Sequence, residues 1–148
     1  MNHGSCRFGL WNVAVDYDRF IIYRVRFVRS AVEGTVPVQF TKFLAGRCFD
    51  FKPLISAALN DGEIYSNIYR EVSLIPYGET RTYSEIADVC STHARVVGNA
   101  MARNPTPLIV PCHRVVGKNG IGGYSPDISI KITLLEMENK FKGNLLKN

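Results

Sequence analysis

The chain has 148 residues, 46% of them hydrophobic and 21% charged, which is the balance of a globular protein with a buried core and excludes disorder as its dominant state. No apolar run approaches the ~18 residues a membrane span needs, and the opening MNHGSCRFGLWNVAV lacks the pattern of a secretory signal, so no membrane and a cytoplasmic (nuclear if eukaryotic) location are expected. Eighteen Lys and Arg against thirteen Asp and Glu give a net charge of +5, which suits a polyanionic partner and equally a plain basic soluble protein.

The first third reads as strands. Residues 9–15 and 20–28 are rich in β-branched and aromatic side chains, with the turn residues Asp16, Tyr17, Asp18 and Arg19 between them, which predicts an antiparallel hairpin. In its second strand Arg24 and Arg26 alternate with Tyr23, Val25 and Phe27, as in a sheet with one wet face. Residues 34–40 are a weaker strand candidate, and residues 41–45 a short helix ending at Gly46. After a break at Asn60, Asp61 and Gly62 the pattern turns helical, with Ile64, Ile68 and Val72 four apart until Pro76, Tyr77 and Gly78 stop it. The expected organisation is an N-terminal α/β unit over residues 1–62 and a mostly helical unit over residues 63–148.

Two short helices come next. Thr82 and Glu85 have the spacing of a capping box, and Ile86 and Val89 follow at helical spacing. Ser91 or Thr92 can cap a second helix that runs to about Arg103 and ends at Asn104 and Pro105. Ala94, Val97, Ala100 and Met101 form its apolar stripe, while Arg95, Asn99 and Ala102 face outward. Such a pair is what a helix-turn-helix looks like, and many helical hairpins of this kind bind nothing.

Chemistry concentrates further on. Cys6, Cys48, Cys90 and Cys112 are far apart, with no CxxC pair and no zinc-finger spacing, so no metal site is expected and the thiols are free. Each is a buried small hydrophobe, or one is a nucleophile. Cys112 stands out: it sits with His113 and Arg114 inside the apolar run PLIVPCHRVV, and burying those neighbours without partners is costly. Burial raises a thiol's pKa, so a nucleophilic Cys112 needs a base or cation nearby. Adjacent strand residues point to opposite faces, so His113 can help only through a turn or a bridging water. In a last helix over residues 128–139, Lys131, Leu134, Leu135 and Glu138 share a face. There Glu138 either finds a buried partner, with His113 a candidate, or sits with Lys131 at the edge of the stripe and reaches water. The stretch GKNGIGGYS fits neither the P-loop nor the dinucleotide pattern, so no nucleotide cofactor is expected.

Five segments together resemble the O6-alkylguanine-DNA alkyltransferase family: IPYGETRTYSEIA (75–87), ARVVGNAMARNP (94–105), PLIVPCHRVV (107–116), GGYS (122–125) and KITLLEMEN (131–139). They occur in the family's order across about half the chain. The resemblance implies a small RNase H-like N-terminal α/β domain with an antiparallel sheet, and a helical domain that carries a helix-turn-helix. It also implies an irreversible, single-turnover transfer of an alkyl group from O6-alkylguanine in duplex DNA to Cys112, after the damaged base is flipped. On the matching positions, His113 is the base acting through a water, Glu138 orients it and Tyr83 serves the leaving guanine. Arg95 fills the gap left by the flipped base, and Thr92, His93, Ala94, Val96 and Asn99 meet the minor groove. Met101, Asn104, Val115, Tyr124 and Ser125 form the substrate pocket, with Asn104 bracing the turn ahead of the cysteine. No cofactor, and a monomer, are implied. The residues without the resemblance also admit a DNA-binding regulator or a thiol hydrolase.

Overall fold

The computed structural model describes residues 1–147. Three strands open the chain: β1 (Asn2–Phe8), β2 (Trp11–Asp18) and β3 (Ile21–Val28), paired antiparallel in that order. A first hairpin therefore precedes the expected one. Its two-residue turn places Gly9 at φ 60°, the left-handed conformation a tight hairpin asks of glycine at its first central position. β2 also runs through Asp16 and Tyr17, which shrinks the second turn to Arg19 and Phe20. Between Asp16 and Tyr17 the register shifts so that Tyr23 is passed over. The bulge moves the inward face of β3: Ile22, Val25 and Phe27 are buried while Tyr23 is exposed.

The weak strand expected over residues 34–40 is not formed. Pro37 instead opens a helix, α1 (Val38–Leu44), whose Phe40 and Phe43 face the core one turn apart. Gly46, at φ 73°, ends it: its amide reaches the Phe43 carbonyl and that of Arg47 the Lys42 carbonyl, a Schellman closure. The stretch before α1 lies along β1. Val32 exchanges two hydrogen bonds with the Ser5 hydroxyl, at 2.8 and 3.0 Å. A Cβ at Gly4 would stand 2.1 Å from the Thr35 carbonyl oxygen, so only glycine lets this stretch approach β1 so closely. A two-residue strand, β4 (Ile55–Ser56), then adds to β3 in parallel, the one exception to an antiparallel sheet.

The rest is mostly helical. α2 (Ser66–Val72) starts later than the periodicity suggests, because Ile64 lies ahead of it and is 77% exposed; Ile68, Tyr69 and Val72 form its buried face. The short β5 (Arg81–Thr82) leads into α3 (Tyr83–Val89), where both halves of the Thr82–Glu85 capping box are made. α4 (Ala94–Ala102) is joined to α3 by residues 90–93. Neither Ser91 nor Thr92 caps α4; His93 holds that position without a side-chain bond. The two hydroxyl residues finish α3 instead: Ser91 adopts φ 55° and Thr92 donates its amide to the Ala87 carbonyl. A turn at Cys112–Arg114 precedes β6 (Val115–Val116), which pairs with β5, and α5 (Ile128–Phe141) follows.

Two apolar clusters fill the interior. One joins the sheet and α1 to Leu108 and to Ile130 and Leu134 of α5; the other packs α2, α3 and α4 on Ala58, Val110 and Val115. The segment ahead of Cys112 is pinned between them. The Val25 amide donates to the Pro105 carbonyl at 2.9 Å, and the Ser56 and Thr106 hydroxyls meet at 2.6 Å. Among the described residues, no helix is long and apolar enough to cross a membrane.

Candidate active site

The peptide between α4 and β6 presents Cys112. Asn104 braces it, donating from Nδ2 to the Val110 carbonyl at 2.9 Å and accepting the Thr106 amide at 3.0 Å. Two further backbone bonds close the turn, Cys112 N to Val110 O at 2.7 Å and Arg114 N to Pro111 O at 2.9 Å. A tight turn sends successive side chains in different directions. Cys112 lines a cavity while His113 and Arg114 turn inward to α5.

Glu138 is the hub of that interior. One carboxylate oxygen faces His113 Nε2 at 2.6 Å and accepts Arg114 Nη2 at 2.9 Å; the other accepts Arg114 Nε at 2.8 Å and the Gly78 amide at 3.1 Å. Arg114 completes its own bonding on the Ile75 carbonyl at 2.9 Å. Glu138 is 1% exposed and His113 0%, so the alternative in which the carboxylate reaches water is overturned. Buried charge of this kind persists only when every lone pair is used, as the paired guanidinium achieves here. Burial alone would raise the Glu138 carboxyl, but His113 and Arg114 prevail and bring it down to about 2.

His113 is held below its usual range, chiefly because burial disfavours the charged ring; Glu138 pulls the other way, and Arg114 and Lys131 add to the depression. The ring is thus neutral at neutral pH, and Arg114 is the standing cation on Glu138. A neutral imidazole facing a carboxylate at 2.6 Å must carry its proton on Nε2. Nδ1 is left with its lone pair, and it is buried with no protein partner among the described residues. The site contains an oriented base.

Burial pushes the Cys112 thiol up, and Tyr124, Asn104 and Lys131 pull it down without overcoming that. The sulfur donates to Tyr124 Oη at 3.6 Å. Tyr124 in turn packs edge-on against Phe27 of β3 at 6.1 Å. Cys112 opens on a cavity of about 840 Å³, walled by Tyr83, Met101, Asn104, Tyr124 and Ser125 and, from the sheet, by Arg24, Arg26 and Phe27. Tyr83, at the start of α3, is pressed by the glycine loop: a Cβ at Gly122 would stand 2.6 Å from its hydroxyl. The tyrosine is raised by burial and then by its proximity to Cys112, so it keeps its proton.

Not every expected residue gathers here. Val115 is buried behind the cavity, and its carbonyl is occupied by Lys131 Nζ at 2.7 Å. Arg95, His93 and Asn99 are exposed on α4, with Thr92, Ala94 and Val96 half-buried beside them; none of the six lines the cavity. Sequence reasoning gave no role to Arg114, to the arginines of β3 or to Lys131, which is fully buried rather than at a wet edge. The one signal available was Arg114's place in an apolar run beside Cys112 and His113.

A family model described as 6-O-methylguanine DNA methyltransferase, DNA binding domain, matches residues 63–140, and the chain belongs to that family. A methylated-DNA--protein-cysteine methyltransferase of Metallosphaera sedula is 41% identical over 105 residues, covering 71% of this chain and 64% of that protein. One from Saccharolobus solfataricus is 50% identical over 72 residues, 49% of this chain and 48% of its own length. The chain thus spans between about half and two thirds of these curated relatives. Among solved structures, Mycobacterium tuberculosis OGT in complex with DNA superposes with a TM-score of 0.80 at 28% identity, covering 95% of this chain and 94% of that one. An O6-methylguanine DNA methyltransferase of Methanococcus jannaschii gives 0.68 at 29% identity, covering 91% and 92%.

Proposed function

We propose that the chain repairs DNA by moving the alkyl group of an O6-alkylguanine irreversibly onto its own Cys112. One observation carries this reading: the Cys112 sulfur lines a cavity beside an imidazole whose basic nitrogen is fixed by Glu138 and Arg114. In this account His113 Nδ1, acting through a water, takes the thiol proton. The sulfur attacks the alkyl carbon, an S–C bond forms and the bond from that carbon to O6 breaks. The leaving guanine is stabilised by a hydrogen bond from Tyr83 and takes up one proton, so that overall the proton lost by sulfur is gained by the base. The product is a thioether, which water does not hydrolyse, and each molecule acts once.

The partner is duplex DNA carrying the lesion. α3 and α4 serve as a helix-turn-helix, with α4 and the turn before it in the minor groove through Thr92, His93, Ala94, Val96 and Asn99. Arg95 occupies the space of the flipped base, and Met101, Asn104, Tyr124 and Ser125 shape the pocket. Residues 1–62 form a supporting unit and residues 63–148 the DNA-binding and transfer unit. The protein acts as a monomer without a cofactor, in the cytoplasm or, in a eukaryote, the nucleus, where thiols stay reduced. The names of the relatives and the DNA complex of the M. tuberculosis protein support this reading.

The test is intact mass after incubation with O6-methylguanine duplex: one methyl, mapped to Cys112, and no second turnover. A Cys112→Ser variant should bind the same duplex and gain nothing. A chain that stays unmodified, or that turns over repeatedly on an ester, defeats the proposal.

A further inference from the structure

Lys131 has no task in the chemistry above, yet its position is expensive. It is 0% exposed in the middle of α5, and its ammonium donates to two carbonyls, Val115 at 2.7 Å and Gly123 at 3.2 Å. Nζ stands 5.8 Å from the centroid of the Tyr83 ring. No carboxylate pairs with it among the described residues. Carbonyl dipoles and a π face solvate an ammonium only in part. A methionine would fill the same helix face at no such cost.

The charges around Cys112, element by element, show what this ammonium faces. From α5, Glu138 is neutralised by Arg114 of the cysteine's own turn. His113 in that turn is neutral. Tyr69 of α2, Tyr83 of α3 and Tyr124 of the glycine loop are all raised by burial and keep their protons. Asn104 carries no charge. Arg24 and Arg26 of β3 and Arg103 after α4 line the cavity where it meets solvent; Arg24 and Arg103 are exposed and Arg26 half-buried. Their field is therefore shared with water. Lys131 is the one fully buried charge of this group that no opposite charge answers. Burial lowers Lys131 as it raises Cys112, and against those shifts the interaction runs both ways: Lys131 favours ionised Cys112, and ionised Cys112 favours charged Lys131.

We propose that Lys131 is a positioning residue for the nucleophile: its buried ammonium is the positive charge against which the Cys112 thiolate forms when His113 removes the proton. The same two hydrogen bonds tie β6 to the glycine loop beneath Tyr83, so the charge and the pocket wall are held by one side chain. Use of that charge in alkyl transfer rests on the function proposed above; the pairing itself can be read without DNA.

Iodoacetamide is the probe, with carbamidomethylation of Cys112 followed by peptide mapping across a pH series in wild type and Lys131→Met. The variant should react about tenfold more slowly at neutral pH, an upward shift of roughly one pKa unit, and should rejoin wild type at alkaline pH. An equal loss at every pH would mean that Lys131 only shapes the pocket, and an unchanged profile would mean it does nothing to the sulfur. Either result overturns the proposal. Because coupling is reciprocal, a second measurement needs no lysine variant. The Lys131 ammonium, titrated by NMR in wild type, should lose its proton at lower pH once Cys112 is capped as a neutral thioether, and an unmoved titration overturns the proposal. Failure of wild type to take a methyl from O6-methylguanine duplex would instead sink the transfer function and leave the iodoacetamide result standing.

Discussion

The cluster around Glu138 and the outer face of α4 are built on opposite terms. In the first, the polar groups are buried and, His113 Nδ1 apart, bonded to their neighbours, so the residues assigned to chemistry are also residues that hold α5 to the loop before β5. In the second, Arg95 and Asn99 are exposed, and among the described residues no hydrogen bond or ion pair to either side chain is made. The lesson is that function and stability are merged in one region and separable in the other. A change in the cluster confounds the two, while a change on α4 isolates binding.

The strongest way to break that contrast is Glu138→Gln. It leaves Arg114 buried without its countercharge, and urea unfolding should show a loss of about 3–5 kcal/mol; a loss below about 1 kcal/mol would mean the cluster is not structural. The same carboxyl sharpens the contrast through pH. Glu138 is depressed from 4.5 to about 2 on folding, so its stabilisation is present above about 4.5 and lost as pH falls toward about 2. His113 acts in the same direction: its pKa is depressed from 6.5, so its share is full above 6.5 and declines on acidification. Wild type should therefore lose stability steadily from pH 6.5 downward, whereas Glu138→Gln should be flatter between 4.5 and 2. Asn104→Ala strands the Thr106 amide and leaves the Val110 carbonyl with only the Cys112 amide, for about 1–3 kcal/mol, and should slow Cys112 alkylation as the turn loosens. Ser91→Gly relieves a left-handed serine and should stabilise by up to about 1 kcal/mol. Last, Arg95→Ala should leave unfolding within about 0.5 kcal/mol of wild type and leave iodoacetamide labelling untouched, while transfer from duplex DNA falls. A fall in stability there would erase the distinction between the two regions.

What could be read from the sequence follows the range of the forces involved. The capping box at Thr82 and Glu85 is a three-residue interaction, and it is made as expected. Periodicity, a rule of local geometry, put Glu138 on the leucine face of the last helix, but left open whether it was buried or reached water. By contrast, β1 was missed because NHGSCRF carries little β-branched content; it is a strand because β2 pairs with it. The strand expected over residues 34–40 lost to Phe40 and Phe43, which reach the core only from a helix. Ser91 and Thr92 look like caps for α4, and only the left-handed turn at Ser91 shows that they close α3. The roles of Arg114 and Lys131 were illegible for one reason: their partners lie 24 and 16 residues away, so a local pattern such as the apolar run around Arg114 can flag a buried cation but not say what answers it.

The strap of residues 32–35 along β1 has a consequence for how copies of the chain meet. An unpaired outermost strand is a template onto which another molecule's strand can be laid, and sheet proteins aggregate through such margins. Here the Ser5–Val32 bonds and the close approach of Gly4 to Thr35 keep that margin occupied by the chain itself. A side chain at position 4 would lift the strap, and the damage would register first as self-association in concentrated solution while the distant sulfur still reacted normally.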